Sequence, residues 1–188
     1  MLPIPNLFIL AAFTFLGISL AAGVISYRNK GRTFLGIPTI NKYLFYSGKF
    51  FLFTAWGLCI FRCIFPAEGM FAVPVYLQWA AAILMVAATV ILTRSFIDLG
   101  SALKVGLPDQ ETKLRTTGIY RFSRNPIYLG VFMVNLASCL FFPHPVNLLC
   151  SIYGIYIHYL ITLSEEKFLA QRFGQEWEDY RNRVRRYL

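Results

Sequence analysis

The residue types and spacings with chemical potential fall in two segments of this chain. The first is 114–130, LRTTGIYRFSRNPIYLG, a polar interruption between two apolar blocks. It carries Arg115, Arg121 and Arg124, the rings of Tyr120, Phe122 and Tyr128, and Pro126 ahead of a new apolar run. Asn125 precedes a proline and is therefore biased to extended backbone. Pro126 suits a first helical position, where its missing N–H would be unpaired anyway, and Ser123 or Asn125 is placed to cap that helix. Cationic side chains and free N–H groups gathered at a helix start attract anions and carboxylates. The second segment is Ser164-Glu165-Glu166, at the end of another apolar run. His158, Thr162 and Glu165 are spaced by four and three, which puts them on one helix face. A polar stripe inside a membrane helix faces protein or a water-filled cavity. The plainer reading makes the first segment a basic membrane-surface loop and the second an interfacial acid pair.

The elements that position these residues follow from composition. The chain has 188 residues, 57% of them hydrophobic and 14% charged, with a mean hydropathy of +0.55. That is too apolar for a soluble domain of this size and fits one compact membrane unit. A bilayer-spanning helix needs about 20 apolar residues, and five runs qualify: 3–27, 43–65, 75–97, 126–142 and 146–163. A cleaved signal peptide is the rival for the first run, which lacks a basic start and is long, so a retained helix is expected. Lys49 and Arg62 lie near opposite ends of the second run, where long side chains can snorkel to the interface. Residues 98–125 form a long polar connection. At the end of the chain, Leu169, Phe173, Trp177, Tyr180, Val184 and Tyr187 follow helical spacing and predict one amphipathic helix, with Gly174 breaking or bending it. The expected architecture is all-α: a single membrane domain over 1–188, with three spans in 1–97. The polar connection, two further spans and the amphipathic tail fill 98–188.

Charge sets the orientation. Five spans place sixteen of the eighteen Lys and Arg residues on one side, in the loop after the first span, the region 94–125 and the tail. The loop before the third span holds one charge, Glu68. The positive-inside rule then puts the N-terminus outside and the C-terminus in the cytoplasm of a bacterial inner or ER-type membrane. Anionic lipid accounts for the net charge of +9, so no nucleic-acid partner is called for. Cys59 and Cys63 are one helical turn apart without further ligands, and His144 and His158 are isolated, so no metal site is expected. Cys139 and Cys150 flank a short loop, and their pairing is left open. No dinucleotide fingerprint, phosphate-binding loop or serine nucleophile elbow occurs.

The C-terminal half, about 97–186, resembles the membrane-embedded methyltransferases that include isoprenylcysteine carboxyl methyltransferases and phospholipid N-methyltransferases. The matching motifs are Asp98-Leu99-Gly100, Leu114 with Gly118-Ile119-Tyr120, Arg124-Asn125-Pro126-Ile127-Tyr128, Glu165-Glu166, and Phe173-Gly174 with Tyr180 and Val184. The resemblance implies S-adenosylmethionine as cofactor, held at the cytoplasmic ends of the last spans by Thr112, Lys113, Leu114, Arg115, Tyr120, Asn125, Pro126, Ile127, Tyr128 and Glu165. It implies that Glu165 binds the cofactor's amino group and that the methyl acceptor is lipid-like or apolar, reached from membrane lipid. Asn125, His158 and Glu165 are the candidate catalytic residues, with His158 the intramembrane base for an amine acceptor.

Two positions depart from the pattern. Asn125 stands where the family usually has histidine, and asparagine cannot titrate near neutral pH. Ile161 stands one turn before Glu165, where the isoprenylcysteine enzymes carry an arginine that meets the substrate. A prenylcysteine carboxylate thereby loses its expected cation, so amine-headed lipids or small apolar acceptors are expected ahead of it. Two other readings share the fold: an NADPH-dependent sterol-type reductase, and a non-catalytic structural membrane protein.

Overall fold

The computed structural model describes residues 2–29, 36–66, 71–100 and 113–188. Among these the elements are helical: α1 (Ile4–Asn29), α2 (Lys42–Ile64), α3 (Val75–Leu99), a short 3-10 turn (Gly118–Arg121), α4 (Pro126–Phe141), α5 (Pro145–Phe173) and α6 (Gln175–Arg183). Helix starts follow local chemistry. Asn41 accepts from the Tyr43 N–H at 2.9 Å to open α2, and His144 Nδ1 accepts from the Val146 N–H at 3.2 Å to open α5. Pro126 and Pro145 occupy first-turn positions of α4 and α5, where a missing N–H costs nothing.

Four helices, α1, α2, α3 and α5, are long and apolar enough to cross a membrane. The fifth expected span is shorter. α4 has 16 residues, about 24 Å at 1.5 Å per residue, against roughly 30 Å of hydrocarbon. It stops because Pro143-His144-Pro145 turns the chain, and a helix end inside a bundle needs its carbonyls satisfied. Asn147 does this: its buried Nδ2 donates to the carbonyls of Ser138 at 3.1 Å and Phe142 at 2.8 Å. α5 runs the other way and continues ten residues past the boundary expected at Leu163.

α3 packs on α4 and α1, and α2 packs on α5. The larger core joins Ile9, Leu16, Met85, Leu92, Val134 and Phe141 among its buried residues, and a second cluster joins Phe45 of α2 to Ile157 and Ile161 of α5. The contacts are close because small residues face large ones, with Gly130 set against Leu92 and Gly154 against the backbone of Leu52. All four cysteines are free thiols, and Cys59, Cys63 and Cys150 are buried.

The amphipathic tail is broken at Gly174, as its sequence predicts. Gly174 adopts φ +51, a left-handed conformation that glycine takes at no steric cost. It ends α5 there and α6 starts on a new axis. α6 is nine residues long, and Val184 is already extended at φ −124 and ψ 133. Of the six stripe residues only Trp177 and Tyr180 are fully buried.

Candidate active site

Asp98, in the last turn of α3, builds one wall. Its Oδ2 accepts from the Ile119 N–H at 2.7 Å, and Arg94 one turn earlier pairs with Oδ1 at 3.1 Å. Gly118 sits at φ +64, and a Cβ there would run into the Asp98 carboxylate. The two motifs around Asp98 and Gly118 are thus halves of one joint, with the carboxylate satisfying a free N–H at the start of the 3-10 turn. The joint buries Tyr120, whose carbonyl accepts from the Tyr180 hydroxyl at 2.6 Å. Burial raises the Tyr120 hydroxyl well above the usual tyrosine range, with Tyr180, Glu165 and Asp98 adding to it. Burial also pushes Tyr180 up to about 12, against the opposing pull of the Arg124 guanidinium.

The segment after α6 folds back over this wall. Arg124 and Asn125 donate backbone N–H groups to the carbonyls of Arg185 at 2.9 Å and Arg186 at 3.1 Å. The Arg124 guanidinium donates to the carbonyls of Arg181 at 2.9 Å and Val184 at 2.8 Å. That caps the C-terminal end of α6, the end a cation stabilises. Glu166 closes the clasp. Its Oε1 accepts from Asn125 Nδ2 at 2.8 Å and from Arg124 at 3.3 Å, and its Oε2 accepts from Arg186 Nη2 at 2.9 Å and Nε at 3.0 Å. The bond to Glu166 raises the Arg186 guanidinium further above its ordinary value.

Glu165, one residue earlier and about 100° around α5, faces a different set. Its carboxylate has the Tyr128 hydroxyl of α4 and the Lys49 ammonium of α2 as electrostatic neighbours, and it forms no salt bridge among the described residues. The stripe below it is self-bonded. Thr162 Oγ1 donates to the His158 carbonyl at 2.9 Å. His158 Nδ1 lies 2.7 Å from the Gly154 carbonyl, so that nitrogen carries the proton and Nε2 is left as the ring's acceptor. The His158 ring lies 6.2 Å from that of Tyr128. Tyr187 reaches in from the tail and sets its ring 5.5 Å from Phe132, with its hydroxyl beside Thr162.

The structure therefore brings Tyr120, Tyr128, His158 and Glu165 into one neighbourhood. Lys113 is exposed and Leu114 half-buried. Arg115 is half-buried, with its Nε enclosed and without a hydrogen-bond partner among the described residues. Thr112 lies outside the described residues. Pro126 is buried, and Ile127 packs against the α3–α4 core. The expected capping role of Asn125 is corrected. It holds the cap position of α4 at φ −131 and ψ 55 but makes no side-chain cap bond, because its amide is spent on Glu166. Ser123 Oγ instead accepts from the Asn125 N–H at 3.2 Å. Lys49, expected to snorkel to the interface, has its ammonium 4.4 Å from the centroid of the buried Phe45 ring. Helical spacing alone assigns no role to Glu166 or Arg186, although the adjacent acid pair and the cationic tail are both visible in the sequence.

Residues 76–176 match the family model of phospholipid methyltransferases. This chain belongs to that family. The match runs from the start of α3 into α6 and takes in the Asp98–Gly118 joint, both glutamates and Gly174, but neither Lys49 nor Arg186. The chain is similar to the protein-S-isoprenylcysteine O-methyltransferase of Saccharomyces cerevisiae, 33% identical over 69 residues, which are 36% of this chain and 29% of the yeast protein. It is also similar to the protein of the same name from Dictyostelium discoideum, 25% identical over 124 residues, 64% of this chain and 51% of that one. The aligned part thus spans about half of one curated relative and under a third of the other.

Proposed function

We propose that this phospholipid methyltransferase family member transfers a methyl group from S-adenosylmethionine to a lipid-like acceptor at the membrane. The observation that carries the reading is the division of labour between adjacent carboxylates. Glu166 is saturated by Arg124, Asn125 and Arg186, whereas Glu165 has no cation in salt-bridge contact among the described residues. A carboxylate at a bundle's polar end without an ion-pair partner fits a ligand ammonium, and the amino group of the cofactor is one.

The other donors suit the same molecule. The family resemblance adds Arg115, whose Nε is enclosed and has no hydrogen-bond partner among the described residues, as a donor of a charge-assisted bond to the cofactor's carboxylate. Tyr120 and Tyr128 supply ring surface beside Glu165. When bound, S-adenosylmethionine supplies an electrophilic methyl group on a sulfonium sulfur. Residues of this chain then hold the two reactants in line, which converts a bimolecular encounter into an oriented one. For an amine acceptor the free Nε2 of His158 is the proton acceptor within the bundle; a carboxylate acceptor needs none. The names of both relatives specify an isoprenylcysteine, which supports an acceptor with a long apolar chain.

Calorimetric titration of the detergent-solubilised protein with S-adenosylhomocysteine and, separately, with NADPH tests the reading. Saturable binding of the first alone is expected. Binding of NADPH alone would make the chain a reductase, and binding of neither would make it a non-catalytic member of the fold.

A further inference from the structure

Lys49 belongs to no matched motif, yet it stands at the site. It lies two turns into α2, about 10 Å along the helix from Lys42, with its side chain turned into the protein. Its ammonium sits 4.4 Å from the centroid of the Phe45 ring. Phe45 is 2% exposed and packs in one cluster with Ile157, Ile161 and Tyr128. The same ammonium interacts electrostatically with Glu165 and His158 of α5 but forms no salt bridge among the described residues. A cation is thus held over the cluster that contains Ile161, the position where the sequence appeared to lack one. It arrives from α2 rather than from α5.

A lysine turned into a membrane bundle is stabilised by a facing anion, and aromatic faces supply only part of that stabilisation. On the methyltransferase reading, on which this step rests, Glu165 is committed to the cofactor's ammonium. The anion for Lys49 must then come with the acceptor. We propose that Lys49 is the acceptor-binding cation, and that it receives a carboxylate carried at the end of an apolar chain. A carboxylate meets two requirements together, balancing Lys49 and being a nucleophile that needs no base. The phosphodiester of an amine-headed lipid meets only the first, and its ammonium is repelled by Lys49. This reverses the acceptor preference expected from Ile161 alone.

The test is a binding titration of the detergent-solubilised protein saturated with S-adenosylhomocysteine. The probes are N-acetyl-S-farnesylcysteine, its primary amide, and phosphatidylethanolamine. The parent is expected to bind the acid at least about tenfold more tightly than the amide, the order of effect of a desolvated charge pair. Lys49→Met should abolish that difference by weakening the acid alone, Lys49→Arg should retain most of it, and Lys42→Met, at the exposed start of α2, should leave it intact. No variant should bind S-adenosylhomocysteine more than about threefold more weakly than the parent, a change of under 1 kcal/mol. Equal binding of acid and amide by the parent, preference for phosphatidylethanolamine, or a preference that survives in Lys49→Met would each overturn the assignment. Should Lys49→Met not fold, the parent's acid-to-amide ratio and the Lys49→Arg variant still decide. A parent that binds S-adenosylhomocysteine but ignores the carboxylate sinks this assignment alone; a parent that binds no S-adenosylhomocysteine sinks the methyltransferase reading and this step with it.

Discussion

Arg186 grips Glu166 with two bonds that converge on one oxygen, Nη2 to Oε2 at 2.9 Å and Nε to Oε2 at 3.0 Å. This fixes the segment after α6 to the polar end of α5, and through Asn125 and Arg124 to the start of α4. The clasp therefore holds two helices and the 3-10 turn at one level. Tyr187 is carried inward by the same attachment, next to Thr162.

Replacing Arg186 by methionine should loosen that attachment. A fully buried ion pair broken on one side costs about 3–5 kcal/mol. The Arg186 side chain is 33% exposed, so solvent screening brings the expected loss to about 1–3 kcal/mol. Arg186→Lys should recover only part of it, because an ammonium cannot make the two-toothed contact. A thermal melt of each variant in the same detergent measures the difference. Equal melting temperatures for the parent and Arg186→Met would show that the clasp contributes nothing to stability.

The Tyr180 hydroxyl gives the clasp a response to alkali. Its folded value is about 12, while an unfolded tyrosine ionises near 10. Between those values the unfolded chain gives up this proton and the folded one keeps it, so stability is intact below about pH 10 and falls towards pH 12. Tyr180→Phe removes the 2.6 Å bond to the Tyr120 carbonyl and should cost about 1–2 kcal/mol at neutral pH. It should also flatten the decline above pH 10. Melts at pH 8 and pH 11 compare both effects, and parallel declines in parent and variant would refute the assignment.

Gly118→Ala attacks the other wall. An L side chain at φ +64 is disfavoured by about 1–2 kcal/mol, and the new methyl group displaces the Asp98 carboxylate from the Ile119 N–H. A hydrogen bond to a charged group is worth about 1.5–3 kcal/mol. The sum predicts a loss of about 2.5–5 kcal/mol and, because Tyr120 lies two residues on, weaker binding of S-adenosylhomocysteine. A change under about 0.5 kcal/mol would mean that the joint can open without consequence.

The long apolar runs made α1, α2, α3 and α5 legible in the sequence, and proline placement gave the starts of α4 and α5. His158, Thr162 and Glu165 were legible as one stripe because helical spacing is local information. The separate fate of Glu166 was not. Neighbouring residues on a helix point about 100° apart, and what each one meets is set by Arg186, twenty residues on. The end of α6 is hidden from the sequence for the same kind of reason. The periodic pattern runs on to Tyr187, but the Arg124 guanidinium takes the carbonyls of Arg181 and Val184 and the helix stops there. The inward turn of Lys49 depends on Phe45 packing against Ile157 and Ile161, a contact between helices that no spacing rule encodes.

Orientation has its own test. Asn125 and Glu166 are bonded at 2.8 Å, so α4 begins and α5 reaches its polar end on the same side, whatever depth the short α4 attains. Reporter fusions after Lys113 and after Leu188 should therefore agree. The concentration of basic residues predicts that both are cytoplasmic, with a fusion after Gly69 on the opposite side. Disagreement between Lys113 and Leu188 would contradict the α4–α5 hairpin itself.

Glu165 carries the functional reading, and its neighbour supplies the control. The cofactor's amino group is a cation, and a half-buried carboxylate holds it through charge-assisted hydrogen bonds. Removing one partner of such a pair costs about 2–5 kcal/mol, much of it from the charge left unpaired. Glu165→Gln should therefore weaken S-adenosylhomocysteine binding by about tenfold or more, since 1.4 kcal/mol is a factor of ten. It should lower the melting temperature of the ligand-free protein less than Glu166→Gln does, because Glu165 forms no salt bridge among the described residues. Glu166→Gln should do the reverse in order of severity, lowering the melting temperature through Arg124 and Arg186 and affecting binding only as far as the clasp loosens. Tyr128→Ala should weaken binding with Glu165→Gln, since its hydroxyl is a neighbour of that carboxylate, and Glu178→Gln on α6 should change neither quantity. Titration calorimetry and a melt on each purified variant separate the two glutamates. If Glu165→Gln binds like the parent, the carboxylate is not the cofactor's anchor and the proposed function loses its main support.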